Sequence, residues 1–147
     1  MKTYSAKPSD IKRKWYILDA SEASLGRVST LAANLLLGKH KPMFTQHIDV
    51  GDYVVIINAD NLKLSGNKLE NKIYYHHSGY PGGLKKITAK DKIAKDDARF
   101  LIKHSIRGML PNNKLLDDRL KRLKVYGGSE HPHDPQQPAI ISLRKEK

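Results

Sequence analysis

The segment Gly51-Asp-Tyr-Val-Val-Ile-Ile-Asn58 is the strongest structural signal in this chain. Its core, residues 53–57, is a near-continuous β-branched run, bounded by Gly51-Asp52 before it and by Asn58-Ala-Asp-Asn61 after it. Continuous rather than alternating apolarity favours a strand that is buried on both faces, as in a sheet with helices on either side. The segment therefore predicts a buried strand of an α/β domain.

A strand and a helix are predicted upstream of this segment. Trp15-Tyr-Ile-Leu18 is a short apolar run that favours β-structure, and residues 19–24 supply turn and capping residues. The following segment has Ser24 as a candidate N-cap and Gly38 as a candidate terminator. Its apolar face, at helical spacing, comprises Leu25, Val28, Ala32, Leu35 and Leu36.

Downstream, the pattern changes from strand to helix. Residues 62–66 alternate in polarity and end in a Gly66-Asn67 turn signal, and residues 72–75 resume a strand pattern. Helical patterns then cover residues 88–94, 96–110 and 113–123. The predicted organisation is a basic N-terminal extension over 1–14, a single α/β domain with a helical C-terminal half over 15–128, and an extended Pro/His-rich tail over 129–147.

The charge of the chain points to a polyanionic partner. The 147 residues carry 27 Lys+Arg and 15 Asp+Glu, a net charge of +12. Residues 1–73 hold 11 basic and 7 acidic side chains and residues 74–147 hold 16 and 8, so the excess is larger in the C-terminal half. No apolar run approaches the ~20 residues that span a bilayer, and no secretory signal pattern is visible. We therefore expect a cytoplasmic protein without a membrane partner, and the absence of cysteine excludes disulfides and thiolate metal sites.

Residues 74–86, Tyr-Tyr-His-His-Ser-Gly-Tyr-Pro-Gly-Gly-Leu-Lys-Lys, follow neither a helical nor a strand period and predict a loop. Glycine allows backbone N–H groups to approach a phosphate, tyrosine and histidine offer flat faces to bases, and lysine neutralises phosphate charge. These residue types favour a nucleic-acid contact. An ordinary Gly/Pro surface turn with scattered tyrosines is the alternative interpretation.

The predicted helix over 96–110 carries the best-defined basic surface. Its apolar stripe consists of Ala98, Leu101, Ile102, Ile106 and Met109. On another face, Arg99, Lys103 and Arg107 follow at i, i+4 and i+8 and form what we call the basic ridge. Phosphate contact is the favoured interpretation of this ridge, and a solvated helix face is the alternative.

In the next predicted helix, some cations have acidic neighbours and others do not. Asp117 and Asp118 each precede a cation by four residues, Lys121 and Arg122 respectively, which predicts two intrahelical pairs. The cations without such a local partner are Lys114, Arg119 and Lys124, and they are the candidates for phosphate contact.

Arg27 lies in the first turn of its predicted helix, where a cation opposes the helix dipole. Two arrangements that would offset this unfavourable interaction are equally consistent with the sequence. An anion could be bound jointly by the helix N-terminus and the guanidinium, or Arg27 could form a salt bridge with Asp19 or Glu22. Lys39-His40-Lys41, just past Gly38, is a further basic cluster.

The sequence motifs of the chain do not indicate an enzyme. The chain has no phosphate-binding P-loop, dinucleotide fingerprint, nucleophile elbow or zinc helix. His131-Pro-His133-Asp134, with His76-His77, could bind a metal as in a metal-dependent phosphohydrolase, but a second carboxylate cluster is missing. Histidines that contact RNA among lysines are favoured, so we predict no catalytic residue, metal, cofactor or small-molecule substrate.

An ordered set of short strings over residues 15–138 resembles the large-subunit ribosomal protein L13 family, of the bacterial type. The strings are Trp15 with Asp19-Ala20, Leu25-Gly26-Arg27, Gly38-Lys39, Gly51-Asp52 before Val54-Val55 and Asn58-Ala59, Gly66-Asn67-Lys68, residues 75–83, Gly108-Met109-Leu110-Pro111, Leu123-Lys-Val-Tyr126, and His131-Pro-His133. Each string alone is weak, whereas their order and spacing together are specific.

The resemblance implies a structural constituent of the large ribosomal subunit that binds ribosomal RNA early in assembly, beside neighbouring large-subunit proteins, without catalytic activity. It also implies a three-layer α/β/α fold around a small, mainly parallel sheet. The family commonly has a lysine directly after Met-Leu-Pro, where this chain has Asn112, so that phosphate contact is in doubt, with Lys114 as the candidate substitute. The alternative function is a general architectural nucleic-acid-binding protein.

The residues and the resemblance together predict the following RNA-binding set: Lys12, Arg13, Lys14, Arg27, Lys39, Lys41, Tyr75, His76, His77, Ser78, Tyr80, Gly82, Gly83, Lys85, Lys86, Arg99, Lys103, Arg107, Lys114, Arg119, Lys124, His131 and His133.

Overall fold

The run Tyr53–Ile57 forms strand β2, inside a four-stranded parallel sheet. In the computed structural model, which describes residues 4–96 and 98–143, β2 lies between β1 (Trp15–Asp19) and β5 (Leu123–Val125). Strand β6 (Ala139–Ile141) pairs with the other side of β1, and all three pairings are parallel. The three central residues of β2 have no exposed surface. The α/β prediction with a small, mainly parallel sheet is confirmed.

Helices α1 (Leu25–Leu37) and α4 (Ala98–Met109) pack against each other over one face of the sheet. Leu18, Val54 and Ile56 contribute to the core on this face. Helix α1 ends as predicted at Gly38, whose φ of +79° is costly for any residue with a Cβ. Ser24 precedes the helix, but its hydroxyl makes no capping hydrogen bond there.

On the opposite face of the sheet, the connection between β5 and β6, which contains a 3-10 turn at Asp134–Gln136, contacts β1 through His133. Trp15 and Tyr53 are partners on the neighbouring strands β1 and β2, and their rings stack at 4.3 Å with an interplanar angle of 5°. The ring of His133 lies 4.9 Å from that of Trp15. Strand β6 itself, within the predicted C-terminal tail, was not indicated by the sequence pattern.

Residues 74–86 belong to a β-hairpin, so the loop prediction is wrong for its two arms, whereas the strand predicted over 72–75 corresponds to the start of the first arm. Strands β3 (Ile73–His77) and β4 (Leu84–Thr88) pair antiparallel and form a separate two-stranded sheet. The period of two is difficult to recognise in the sequence because most residues of both arms are exposed and polar residues occupy both faces. Only residues 78–83 form a loop.

The remaining helices are α2 (Lys68–Asn71), α3 (Ala89–Asp96) and α5 (Leu116–Lys121). Helix α5 is shorter than the predicted segment 113–123, α3 lies close to the predicted segment 88–94, and α2 was not predicted. The alternating run 62–66 is not a strand and contributes one isolated bridge, between Lys63 and Ser24. In α4 the predicted stripe is buried except for Met109, which is 42% exposed. Residues 1–3 of the predicted extension, Asp97 of the predicted helix 96–110 and residues 144–147 of the predicted tail lie outside the described residues.

Candidate nucleic-acid interface

The hairpin is held to the domain by one of its two faces. Tyr74 packs edge-on against two rings of α4, with centroid distances of 5.9 Å to Phe100 and 5.1 Å to His104. Burial raises the pKa of the Tyr74 phenol. Because side chains alternate along a strand, the neighbouring residues of β3 point away from α4. Docking of one face therefore leaves the other face available to a partner.

We call this free surface the outer hairpin face; it comprises Ile73, Tyr75, His77, Leu84 and Lys86. Ile73, Tyr75 and Leu84 are 41%, 62% and 50% exposed. Tyr75 is opposite Lys86 in the hairpin register, and the Lys86 ammonium lies 5.9 Å from the centre of the Tyr75 ring. A flat ring beside a cation can stack on a base while the cation contacts a phosphate.

The turn at the end of the hairpin is closed by its own hydrogen bonds. The N–H of Ser78 donates to the Gly83 carbonyl at 3.2 Å, and the N–H of Gly83 donates to the Tyr80 carbonyl at 3.0 Å. Gly79 and Gly82 have φ values of +89° and +72°. Tyr80, at the tip, is 75% exposed. The turn therefore presents an aromatic ring on a backbone that is already ordered.

The basic ridge lies on the same helix that receives the hairpin. Arg99, Lys103 and Arg107 are all exposed. Lys103 and Arg107 line a groove of about 250 Å³ together with Phe100 and His104, the two rings that contact Tyr74. The ridge and the hairpin are thus adjacent surfaces.

Cations also surround the rings between the hairpin and α4. The ammonium of Lys72 lies 5.5 Å from the Tyr74 ring, and that of Lys92 lies 4.3 Å from the Phe100 ring. Burial, together with the charges of Lys72 and Arg107, lowers the pKa of His104 below 6.5. This aromatic cluster was not predicted from the sequence, although the i, i+4 spacing of Phe100 and His104 was a signal for it.

Lys41 is largely occupied by contacts within the protein, although the sequence predicts it in an exposed basic cluster, and its contact with RNA stays a prediction. Its ammonium lies 2.6 Å from the carboxylate of Asp52 and donates to the carbonyls of Val50 and Lys12 at 2.9 and 3.0 Å. Asp52 is fully buried and also accepts the N–H of Lys14 at 2.8 Å. Lys41 therefore joins the N-terminal segment to β2. The side chains of Lys12, Arg13 and Lys14, and that of Lys39, remain exposed.

Arg119 is buried, although its place in the sequence predicts a surface cation without a local acidic partner. It is 1% exposed, and its Nε lies 3.6 Å from Oδ1 of Asp49. Arg122 binds the same carboxylate with both terminal nitrogens, so its predicted pairing with Asp118 is wrong. Asp118 instead pairs with Lys121 at 2.9 Å, at i, i+3 spacing. Tertiary contact with the loop before β2 overrides the local charge pattern.

Arg27 forms neither of the two predicted salt bridges within the part of the chain that the structure describes. The Asp19 carboxylate accepts hydrogen bonds from Ser21 and Asn58. The Glu22 carboxylate accepts the N–H of Leu143 at 2.7 Å. Arg27 is exposed, so the anion contact is the hypothesis that the geometry leaves open.

The histidines of the C-terminal segment pack against the domain. Nε2 of His133 hydrogen-bonds with the Tyr126 hydroxyl at 2.9 Å, and Nδ1 of His131 accepts the N–H of His133 at 3.3 Å. Nδ1 of His131 lies 3.5 Å from the Asp134 carboxylate. Among residues 4–96 and 98–143, no three His, Asp or Glu side chains converge as a metal site would require. In the same residues, no helix is long and apolar enough to cross a membrane.

Most of the predicted RNA-binding side chains are exposed. These are Lys12, Arg13, Lys14, Arg27, Lys39, Tyr75, His76, His77, Ser78, Tyr80, Lys85, Lys86, Arg99, Lys103, Arg107, Lys114 and Lys124. The structure brings the hairpin residues and the basic ridge together, and it pairs Lys41 with Asp52 and Arg119 with Asp49.

Comparison with known proteins gives a consistent result. The family model described as Ribosomal protein L13 matches residues 13–132. The chain is 49% identical over 144 residues to the large ribosomal subunit protein uL13 of Syntrophomonas wolfei, covering 98% of this chain and 99% of the relative. It is 52% identical over 143 residues to the protein of the same name from Caldanaerobacter subterraneus, covering 97% and 99%. It is 51% identical over 145 residues to that of Salinispora arenicola, covering 99% and 98%.

Proposed function

Because this chain belongs to the ribosomal protein L13 family, we propose that it binds the ribosomal RNA of the large subunit and supports an early step of subunit assembly. Membership of the family makes it a protein of the large ribosomal subunit in the cytoplasm, and not an enzyme. Its RNA contacts, its assembly role and its contacts with neighbouring ribosomal proteins are the parts that we propose.

The outer hairpin face and the adjacent basic ridge carry this proposal. From Lys72 to Lys90 the chain contains no acidic residue, so no carboxylate of the hairpin opposes a phosphate there. Exposed rings at Tyr75 and Tyr80 add stacking surfaces. The combination suits folded RNA, whose unstacked bases stack on aromatic side chains while its backbone contacts cations.

The charge distribution supports binding through many contacts rather than through one pocket. Exposed cations extend from the N-terminal segment across the basic ridge to Lys124 on β5. Each phosphate contact adds a salt-dependent increment to affinity. A scaffold protein with this surface holds RNA segments in place without chemistry.

The first experiment follows the protein in a lysate on a sucrose gradient at moderately high salt. We expect it to sediment with large ribosomal subunits, since many specific contacts survive partial screening. Release into the soluble fraction would contradict the proposal.

A binding assay then separates this function from that of a general architectural nucleic-acid-binding protein. Large-subunit ribosomal RNA should compete at least tenfold better than small-subunit ribosomal RNA or duplex DNA at physiological salt. Equal competition by all three would favour the general binder. The double variant Tyr75→Ala with Lys86→Gln should weaken the specific complex, whereas Lys121→Gln, which removes a cation already paired with Asp118, serves as the control.

A further inference from the structure

Two arginines, Arg119 and Arg122, share the carboxylate of Asp49. Asp49 is contacted by Arg122 through both terminal nitrogens, and by Arg119 only through Nε at 3.6 Å. Nε and Nη1 of Arg119 are buried and have no hydrogen-bond partner among the described residues. A buried cation with incomplete pairing is costly unless another group supplies charge and acceptors. The pair of guanidiniums therefore has capacity for one more anion.

An open cavity leads to this arginine. Arg119 lines a cavity of about 510 Å³, between the loop after α1 and the Gly108–Pro111 segment. This volume lies within the range of small-molecule sites, about 300–1,000 Å³. Lys39 supplies a second cation and Gln46 an amide, and no acidic residue lines the cavity.

The other lining residues are apolar except for Asn113, and a simple ion would not use their apolar surfaces. Phe44, Met109 and Pro111 contribute an aromatic ring, a flexible thioether and a proline ring. A phosphate group alone would satisfy the cations and leave these walls in contact with water. A nucleotide has both parts, because its phosphate is anionic and its base is flat and largely apolar on its faces.

We infer that this cavity binds one extruded nucleotide of the RNA, with its phosphate on Arg119 and Lys39 and its base against Phe44 and Met109. Guanidinium matches phosphate geometry by paired hydrogen bonds. Recognition of single-stranded RNA regularly uses bases turned out of the stack and placed on apolar side chains. The inference rests on the proposed function and assigns one subsite to it, separate from the hairpin and the basic ridge.

Variants that each remove one positive charge test the subsite. Lys39→Met and Arg119→Met should each lower the affinity for large-subunit ribosomal RNA about tenfold at physiological salt. Lys121→Met, an exposed change on the same helix as Arg119, should lower it less than twofold. Phe44→Leu should weaken binding several-fold without changing the slope of log affinity against log salt, because it removes no charge.

Photo-crosslinking gives an independent readout that does not depend on the folding of the Arg119 variant. Large-subunit ribosomal RNA containing 4-thiouridine should crosslink to the peptides that contain Phe44 or Met109 in the wild-type protein. Uridine monophosphate should compete for this crosslink at lower concentration than inorganic phosphate, because only the nucleotide uses the apolar walls.

The outcomes separate this inference from the function on which it rests. If the wild-type protein binds the RNA but Lys39→Met and Phe44→Leu behave like Lys121→Met, and no crosslink maps to the cavity, the subsite is refuted and the proposed function stands. If inorganic phosphate competes as well as the nucleotide, the cavity is an anion site only and the inference fails. If the wild-type protein does not bind the RNA at all, the proposed function fails first.

Discussion

At the scale of single residues, Asp52 connects three parts of the chain. Its buried carboxylate accepts the N–H of Lys14 at 2.8 Å and lies 2.6 Å from Nζ of Lys41 and 2.9 Å from Nε2 of His40. Asp52→Asn would leave the Lys41 ammonium without a charged partner in a site that is largely closed to water. We expect the free energy of unfolding to fall by about 3 kcal/mol, measured by urea denaturation.

The matched control for Asp52 is Asp118→Asn, since Asp118 pairs with Lys121 and both side chains are 60% exposed or more. Solvent screens that pair, so we expect a urea midpoint close to that of the wild-type protein. Equal midpoints for the two variants would show that the buried network does not stabilise the fold.

Gly82 and Gly108 have space around them for a Cβ, so substitutions there test backbone conformation alone. An added Cβ would meet no described atom within 4 Å at either Gly82 or Gly108. Gly82 has a φ of +72° in the hairpin turn, whereas Gly108 lies in α4. Gly82→Ala should therefore destabilise the protein by about 1 kcal/mol, and Gly108→Ala should stabilise it by up to about 1 kcal/mol. Thermal unfolding of both variants checks the opposite signs, and the same sign for both would contradict this account.

At the scale of elements, the hairpin and α4 depend on the contact of Tyr74 with Phe100 and His104. Tyr74→Ala should undock the hairpin and remove the ring that shields part of the His104 imidazole from water. Since burial is the main cause that lowers the pKa of His104, its pKa should rise toward 6.5 in the variant. NMR titration of the His104 ring protons measures this change. Tyr75→Ala, on the outer face, is the control and should leave the pKa of His104 unchanged.

The lowered pKa of His104 also predicts the direction in which the stability of the protein changes with pH. The folded state favours neutral His104, so the unfolded state binds more protons as the pH falls. The contribution of His104 to stability is therefore present above the unfolded pKa of 6.5 and is lost as the pH falls through the lower folded value. His104→Gln should reduce the loss of stability between pH 7 and pH 5. An unchanged pH profile in this variant would contradict the assignment.

At the scale of the whole molecule, affinity for RNA should depend on the sum of separate phosphate contacts. The double variant Lys103→Gln with Arg107→Gln removes two cations of the basic ridge. The plot of log affinity against log salt concentration should become less steep, by about 0.7–0.9 in slope for each lost contact. Lys121→Gln makes the same kind of charge change at a paired site and should leave the slope nearly unchanged. Filter-binding at several salt concentrations gives the slopes. Equal slopes for both variants would mean that the ridge is a solvated helix face.

The elements that the sequence predicted correctly are those in which a local pattern and burial agree. The apolar run of β2, the strand at Trp15 and the α1 stripe with its terminal Gly38 all correspond to observed elements. Beyond the strand predicted over 72–75, the hairpin was predicted as a loop because its exposed arms have little apolar alternation. The three-residue strand β6 was missed because its place in the sheet depends on pairing with β1, which is distant in sequence.

The amino-acid sequence by itself determined the fold class, the strong basic character and the membership of a ribosomal protein family. These properties follow from residue order and composition. The period of apolar residues, the helix terminators and the motif spacing are local features of the chain, and the net charge is a sum over it. Only the tertiary structure decided which cations have a charge partner within the protein. Lys41 and Arg119 look like surface cations in sequence, but folding places them beside Asp52 and Asp49. The charge partner of a side chain is set by three-dimensional distance and burial, and neither is contained in local spacing.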